Sequence, residues 1–199
     1  MTFPERPRAE GWPTYSPAVI PTRTDAELLA AHRVGDVTAF AELVGRHADR
    51  MWGVAVRTLD DVHEAADAVQ EALLAAHRSA HLYRGDASVR TWLHRILVNT
   101  CIDRIRHERV RPTVPWPVRD IATPVDATGE LTTRMVVEDA LCELSVDQRV
   151  AIVLVDVHGF GVGEVAQILD VPAGTVKSRC ARGRTRLAAM LGHLREEVP

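Results

Sequence analysis

Glu164-Val165-Ala166-Gln167-Ile168-Leu169-Asp170-Val171-Pro172-Ala173-Gly174-Thr175-Val176-Lys177-Ser178-Arg179 decides the fold. It reads as two short helices joined by a tight turn at Asp170-Val171. Proline at the first position of the second helix costs nothing, because its missing N–H would be unpaired there anyway. This is a helix-turn-helix pattern. Along the second helix Val176, Cys180, Gly183 and Leu187 recur at i, i+4, i+7 and i+11, so that face packs inward. Lys177, Ser178, Ala181 and Arg182 are left facing outward.

Upstream, the same periodicity continues. Met135, Val136, Ala140, Leu141 and Leu144 make one apolar face. Ser145-Val146-Asp147-Gln148 has the form of a capping box, opening a helix through Val150, Ile152, Val153 and Val155 that Gly159 ends. Nearer the N-terminus, Thr24-Asp25-Ala26-Glu27 is a second box, and Gly35-Asp36 marks a stop followed by a new cap. Phe40, Leu43, Val44, His47 and Met51 stripe the next helix. Val62, Ala65, Ala66, Val69, Leu73 and Ala76 form the inward set of a third, and Val89, Trp92, Leu93, Ile96, Leu97 and Ile102 run along a fourth. No alternating strand pattern competes.

Nine of the eleven prolines fall in two places, among the first two dozen residues and between Arg111 and Gly129. Proline forbids helix continuation, so these read as a disordered tail (1–23) and a flexible linker (112–129). The expectation is an all-α chain of two small domains, 24–111 and 130–195, and 199 residues suit that division.

The overall balance, 24 Lys+Arg against 27 Asp+Glu, hides strong segregation. From Arg84 to Arg111 there are seven arginines against three acids, and from Lys177 to Arg195 six basic residues and no acid. Asp60 to Glu71 is purely acidic. A charge run on one helix is most simply a solvated face. Two basic helices, one of them the second helix of a helix-turn-helix, suit phosphate-lined DNA surfaces instead. The acidic helix would be repelled by DNA and fits a protein partner.

No run approaches the roughly 20 apolar residues of a membrane span, and the N-terminus lacks a basic-then-apolar leader, so a cytoplasmic protein is expected. Cys101, Cys142 and Cys180 are far apart and read as small buried hydrophobes. His94 and Cys101 share a helix face without further ligands at useful spacing, so no metal or cofactor is expected. HExxH, a glycine-rich phosphate loop and a nucleophile–base pair are all missing from the sequence. A non-enzyme is therefore expected, with a stand-alone helix-turn-helix regulator as the rival reading.

Several stretches resemble the extracytoplasmic-function (ECF) sigma factors of the sigma-70 family. Gly35 to Val44 is similar to the opening of sigma region 2, and Ala65-Ala66-Asp67-Ala68-Val69-Gln70-Glu71 to its acidic "DxVQE" helix. Tyr83-Arg84-Gly85-Asp86 through Thr91-Trp92-Leu93-His94-Arg95-Ile96 resembles "FRGDxxxxTWLxRI", and Gly174 to Arg179 matches the "GTVKSR" of region 4. The wording around Met51-Trp52 and from Asn99 to Arg106 resembles the actinobacterial sigma-M-like subgroup.

The resemblance implies an alternative sigma subunit of RNA polymerase. Asp67, Gln70 and Glu71 would dock on the β′ clamp helices, with region 4 near the β flap. Arg84, Arg90 and Arg95 would hold single-stranded −10 DNA, and Asn99 would help take a base out of the stack. Thr175, Lys177, Ser178, Ala181 and Arg182 would meet −35 duplex. An anti-sigma factor would hold the protein inactive, wedging the domains so that both faces are hidden. Departures are Gly161 and Gly163, where a serine cap and a glutamate are usual, so that the first helix of the motif should start late or fray at about 1 kcal/mol per interior glycine. Ala181 is small, Trp52 replaces a tyrosine, and no long C-terminal extension follows. Trp92 reads as core.

Overall fold

Aspartate carboxylates start the two helices on which the N-terminal half is built. Asp36 accepts from the amides of Thr38 and Ala39, and Asp61 from those of His63 and Glu64, satisfying donors that a helix start leaves open. The computed structural model describes residues 23–110 and 129–192. Most of the expected tail and linker lies outside them. Arg23, the last residue of that tail, is already tied to Asp36 (2.9 Å) and Glu42 (3.0 Å).

The elements are α1 (Asp25–Arg33), α2 (Val37–Leu59), α3 (Val62–Ser79), α4 (Val89–Val110), α5 (Gly129–Cys142), α6 (Val146–Ile152), α7 (Val162–Leu169) and α8 (Ala173–Leu191). No strand occurs among the described residues. The all-α expectation stands.

Helices α1 to α4 surround Leu28, Leu29, Leu43, Met51, Leu93 and Leu97, each at most 1% exposed. Each such side chain contributes about 1.5–3 kcal/mol on leaving water. The box at Thr24 forms as read, with Glu27 N–H donating to the Thr24 hydroxyl and Thr24 N–H to the Glu27 carboxylate. His47 is buried but satisfied, 2.7 Å from Asp25.

The stripe on α3 is corrected. Ala65, Ala68, Val69, Ala72 and Ala76 are buried and Leu73 packs against them, whereas Val62, the first residue of the helix, is 59% exposed at the edge of a cleft with Val56 and Arg57 of α2.

Two further corrections fall in the C-terminal half. Ser145 caps α6 with its carbonyl, which accepts from Gln148 and Arg149 N–H (both 2.9 Å), and its hydroxyl makes no cap bond. The expected box does not form: Gln148 packs with its Cβ beside Gly183 of α8 and its Oε1 is buried without a hydrogen-bond partner, while the neighbouring Asp147 is taken by Arg179 (2.9 Å). Pro172 is the cap of α8, one position before its first residue.

Past α6 the chain widens into a π turn at Val153–Val157, with His158 N–H donating to Val153 carbonyl (3.0 Å). Such bulges re-aim the residues after them. Here they turn His158 and Phe160 toward the N-terminal domain. Gly159, at φ +67°, takes the left-handed conformation that follows.

The glycines at 161 and 163 do not delay α7, which begins at Val162. The Glu164 carboxylate accepts from Gly161 N–H at 2.9 Å, the half of a capping box that does not need a serine, while the Gly161 carbonyl accepts from Val165 N–H at 2.9 Å.

One apolar cluster joins both halves, from Leu28 through Leu97 to Val165 and Cys180. The domains are packed on each other: α4 lies against α7, and α2 against α5, α6 and the π turn.

Candidate nucleic-acid interface

Helix α8 seats itself through its inner face. Val176, Cys180 and Gly183 are buried, and Leu187 is half-buried, as the spacing required. Gly183 permits the close approach: a Cβ there would stand 2.9 Å from Cγ1 of Ile152. Lys177, Ser178, Ala181 and Arg182 face solvent together.

Arg179 and Arg184 are drawn down instead, onto Asp147 (2.9 Å) and, with two bonds, onto Asp156 (2.7 and 3.0 Å). Thr175 is less available than expected, because its N–H donates to Pro172 carbonyl at 2.8 Å. That leaves the amides of Ala173 and Gly174 as the donors of the first turn. The Ser178 hydroxyl rests on Thr175 carbonyl (2.9 Å).

In the N-terminal domain the four candidate residues do not share one surface. Arg84 and Arg95 border a cleft walled by Tyr83 and Trp92, whose rings lie 5.4 Å apart. The Tyr83 hydroxyl donates to Ala87 carbonyl at 2.6 Å and fixes the loop, where Gly85 adopts φ +84°. Trp92 is half-buried: one side joins the core and the other lines the cleft, so its assignment as core holds for only part of the ring.

Asn99 is exposed on the rim of a second cleft, whose far wall is Val150, Leu169, Val171 and Arg179. Arg90 points elsewhere. Its guanidinium meets Glu164 at 2.6 Å and sits 4.4 Å from the ring centroid of Phe160.

Three contacts were missed in the sequence: Phe160, Glu164 and Asp170, which the C-terminal domain lays on α4. Asp170 stands 3.5 Å from Arg95, at the left-handed residue (φ 53°) between α7 and α8. Glu164 was legible as an acid one turn from the helix start; its partner on another domain was not. Hydrogen bonds from Gly161 N–H and then Arg90 hold its carboxyl below the usual range.

His94 is completely buried against Phe160, with ring centroids 4.8 Å apart. Its Nδ1–H donates to Arg90 carbonyl (2.8 Å), while Nε2 has no partner. Burial first, with His47, His158 and Arg90 adding repulsion, pushes its pKa down to about 4.

On α3, Asp67 and Gln70 are exposed, whereas Glu71 is tied with Glu64 to Arg104 (3.1 and 2.6 Å). Cys101 and Cys180 are buried as expected and Cys142 is only half-buried. Burial raises the Cys101 thiol to about 12, which keeps it protonated and unreactive. Among the described residues no three His, Cys, Asp or Glu side chains converge on a metal site.

Residues 43–111 match the family Sigma-70 region 2, and residues 134–187 match Sigma-70, region 4. The chain is 47% identical over 176 residues to the ECF RNA polymerase sigma factor SigM of Mycobacterium tuberculosis, covering 88% of this chain and 89% of that relative. It is 33% identical to the ECF RNA polymerase sigma factor SigW of Bacillus subtilis, over 80% of this chain and 92% of the relative.

Among solved structures it resembles CnrH in complex with the cytosolic domain of CnrY, with TM-score 0.67, 25% identity, and 85% of this chain and 97% of that one covered. It also resembles the sigma factor RpoE of Bartonella quintana in complex with the anti-sigma factor NepR, with TM-score 0.66, 27% identity, and 78% and 98% covered.

Proposed function

The chain belongs to the ECF sigma factors of the sigma-70 family, and we propose that it works as one: it binds core RNA polymerase, reads −35 and −10 promoter elements, and starts transcription by opening the −10 region. The observation that carries this is the pairing of an exposed basic recognition face on α8 with an aromatic-walled cleft that Arg84 and Arg95 border on the other domain.

Each half suits its task. Lys177 and Arg182, on the outer face of a helix-turn-helix second helix, reach bases and phosphates in a major groove, with Ser178 and Ala181 between them. The amides opening α8, beside Thr175, are suited to a phosphate. In the other half, Arg84 and Arg95 are placed to grip single-stranded backbone, and the exposed side of Trp92 offers a stacking surface. Asn99 presents both a donor and an acceptor to an unpaired base edge. Trapping that base offsets the few kcal/mol needed to unstack it, so no fuel is required. The chain thus acts by binding rather than by catalysis.

Asp67, Gln70 and Glu71 are the proposed contacts to the β′ clamp helices, with region 4 meeting the β flap. Asp67 is the cleaner probe, because Glu71 already neutralises Arg104. An anti-sigma factor is a proposed partner by analogy with the RpoE and CnrH complexes. A cytoplasmic location is proposed with these partners, and among the described residues no helix is long and apolar enough to cross a membrane.

The test is abortive transcription by core polymerase over a promoter pool. Initiation should require the chain and collapse with Asn99→Ala or Lys177→Ala. No stimulation, with tight duplex binding by the chain alone, would point to the stand-alone regulator.

A further inference from the structure

Helix α3 sets three carboxylates in one stripe. Glu64, Asp67 and Glu71 follow each other at steps of three and four residues, so they rise from the same side of the helix. Like charges at that spacing repel, and no Lys or Arg lies between Asp60 and Glu71 to separate them. The cation comes from the neighbouring helix instead. Arg104 of α4 donates to Glu64 at 2.6 Å through one terminal nitrogen and to Glu71 at 3.1 Å through the other.

We propose that Arg104 is a positioning residue for polymerase binding. From outside the docking helix it holds Glu71 in the conformation that the β′ clamp helices meet, and it leaves Asp67 as the open charge between two braced ones. This rests on the sigma-factor reading and on the docking role proposed for Asp67, Gln70 and Glu71.

The geometry is that of a strut. Glu64 and Glu71 start about 10 Å apart along the helix, yet both side chains converge on one guanidinium. The planar fork of arginine reaches two acceptors at once in a fixed geometry, which an ammonium does not offer. Arg104 is the more covered partner, at 27% exposed against 50% for Glu64 and 61% for Glu71, and its Nε is buried. An approaching partner therefore meets carboxylate before guanidinium. Each glutamate gives Arg104 its Oε2, and a carboxylate has a second oxygen with which to accept from a basic partner.

Two effects of Arg104 then oppose each other. Its charge offsets part of the acidic stripe, which by itself disfavours a basic partner. Its hydrogen bonds take the loss of rotamer freedom during folding, so that Glu71 does not lose it on binding. Attraction between exposed charges is screened by salt and weak, so the second effect governs. The sign of the change on removing Arg104 separates the two.

Affinity of the full-length chain for core polymerase is the measurement. Arg104→Ala should weaken binding about threefold to tenfold, the cost of immobilising one long side chain at an interface. Arg104→Lys keeps the charge and loses the fork, and it should weaken binding in the same direction by less. Melting curves check that both are folded. Adding Arg104→Ala to Glu71→Gln should cost little beyond Glu71→Gln alone, whereas adding it to Asp67→Asn should cost its full amount.

Binding that strengthens, as charge alone requires, or that stays unchanged would overturn the proposal. So would full additivity of Arg104→Ala with Glu71→Gln. Asp67→Lys, which the strut does not touch, reports separately on docking. If it weakens binding while Arg104→Ala does not, only the role of Arg104 fails. If neither change matters, the docking assignment on α3 fails, and the role of Arg104 falls with it.

Discussion

Helices α4 and α8 carry similar charge and are proposed to read DNA, yet the same chain treats them oppositely. On α8 the residues that pack and the residues that read lie on opposite faces, so Lys177 and Arg182 stay in solvent while Val176 and Cys180 are buried. On α4 three sides are used. Leu93, Leu97, Val98 and Cys101 fill the core, Arg90 and His94 meet Phe160, and Arg95 and Asn99 remain on the rims of clefts. A basic helix is therefore not in itself an open DNA-binding surface; the second domain decides whether it is.

The largest expected effect breaks the buried side of α4. Leu97→Ala should cost about 2–5 kcal/mol in urea unfolding, because a completely buried leucine leaves a cavity. Ala181→Leu, on the open side of α8, should move stability by less than about 0.5 kcal/mol while changing −35 sequence preference.

Next comes the seat of α8. Gly183→Leu forces bulk into Ile152 and should cost about 1–3 kcal/mol by thermal melting, with loss of −35 duplex binding.

The pH response separates the two helices further. His94 has a folded pKa of about 4, below the ordinary 6.5, so the unfolded chain binds the proton more readily. Stability is whole above pH 6.5 and falls as pH drops from 6.5 toward 4, with a slope of at most about 1.4 kcal/mol per pH unit. Urea midpoints across that window should show this slope in the wild type and a flatter one in His94→Leu.

The smallest effect is in the salt dependence of duplex binding by the free chain. Lys177→Ala should lower the log–log slope by about one, whereas Arg95→Ala, beneath Asp170, should leave it unchanged.

Legibility followed range. The box at Thr24 needs only residues four apart, and it forms as read. Ser145 presents the same pattern and fails: Gln148 packs beside Gly183 of α8 with its Oε1 unpaired, and Asp147 pairs with Arg179 of that helix, neither of which a local rule contains. The outward set on α8 was readable because one helical period sorts it. Arg90 was grouped with Arg84 and Arg95 on charge and motif, yet it points to another domain, through Phe160 and Glu164, which follow a π turn that the pattern Ile152-Val153-Leu154-Val155 does not announce.

The sequence by itself determined the helices, their division into two blocks, the inner face of α8 and the family, since each depends on periodicity, capping and motifs within a few turns of chain. Only the tertiary structure decided which arginines stay exposed and which are held by the other domain. That choice rests on contacts such as Glu164 with Arg90 and Arg149 with Thr58, 74 and 91 residues apart, and on side-chain directions set by one extra residue in a helical turn. Such contacts form only when whole surfaces meet, and no local pattern encodes them.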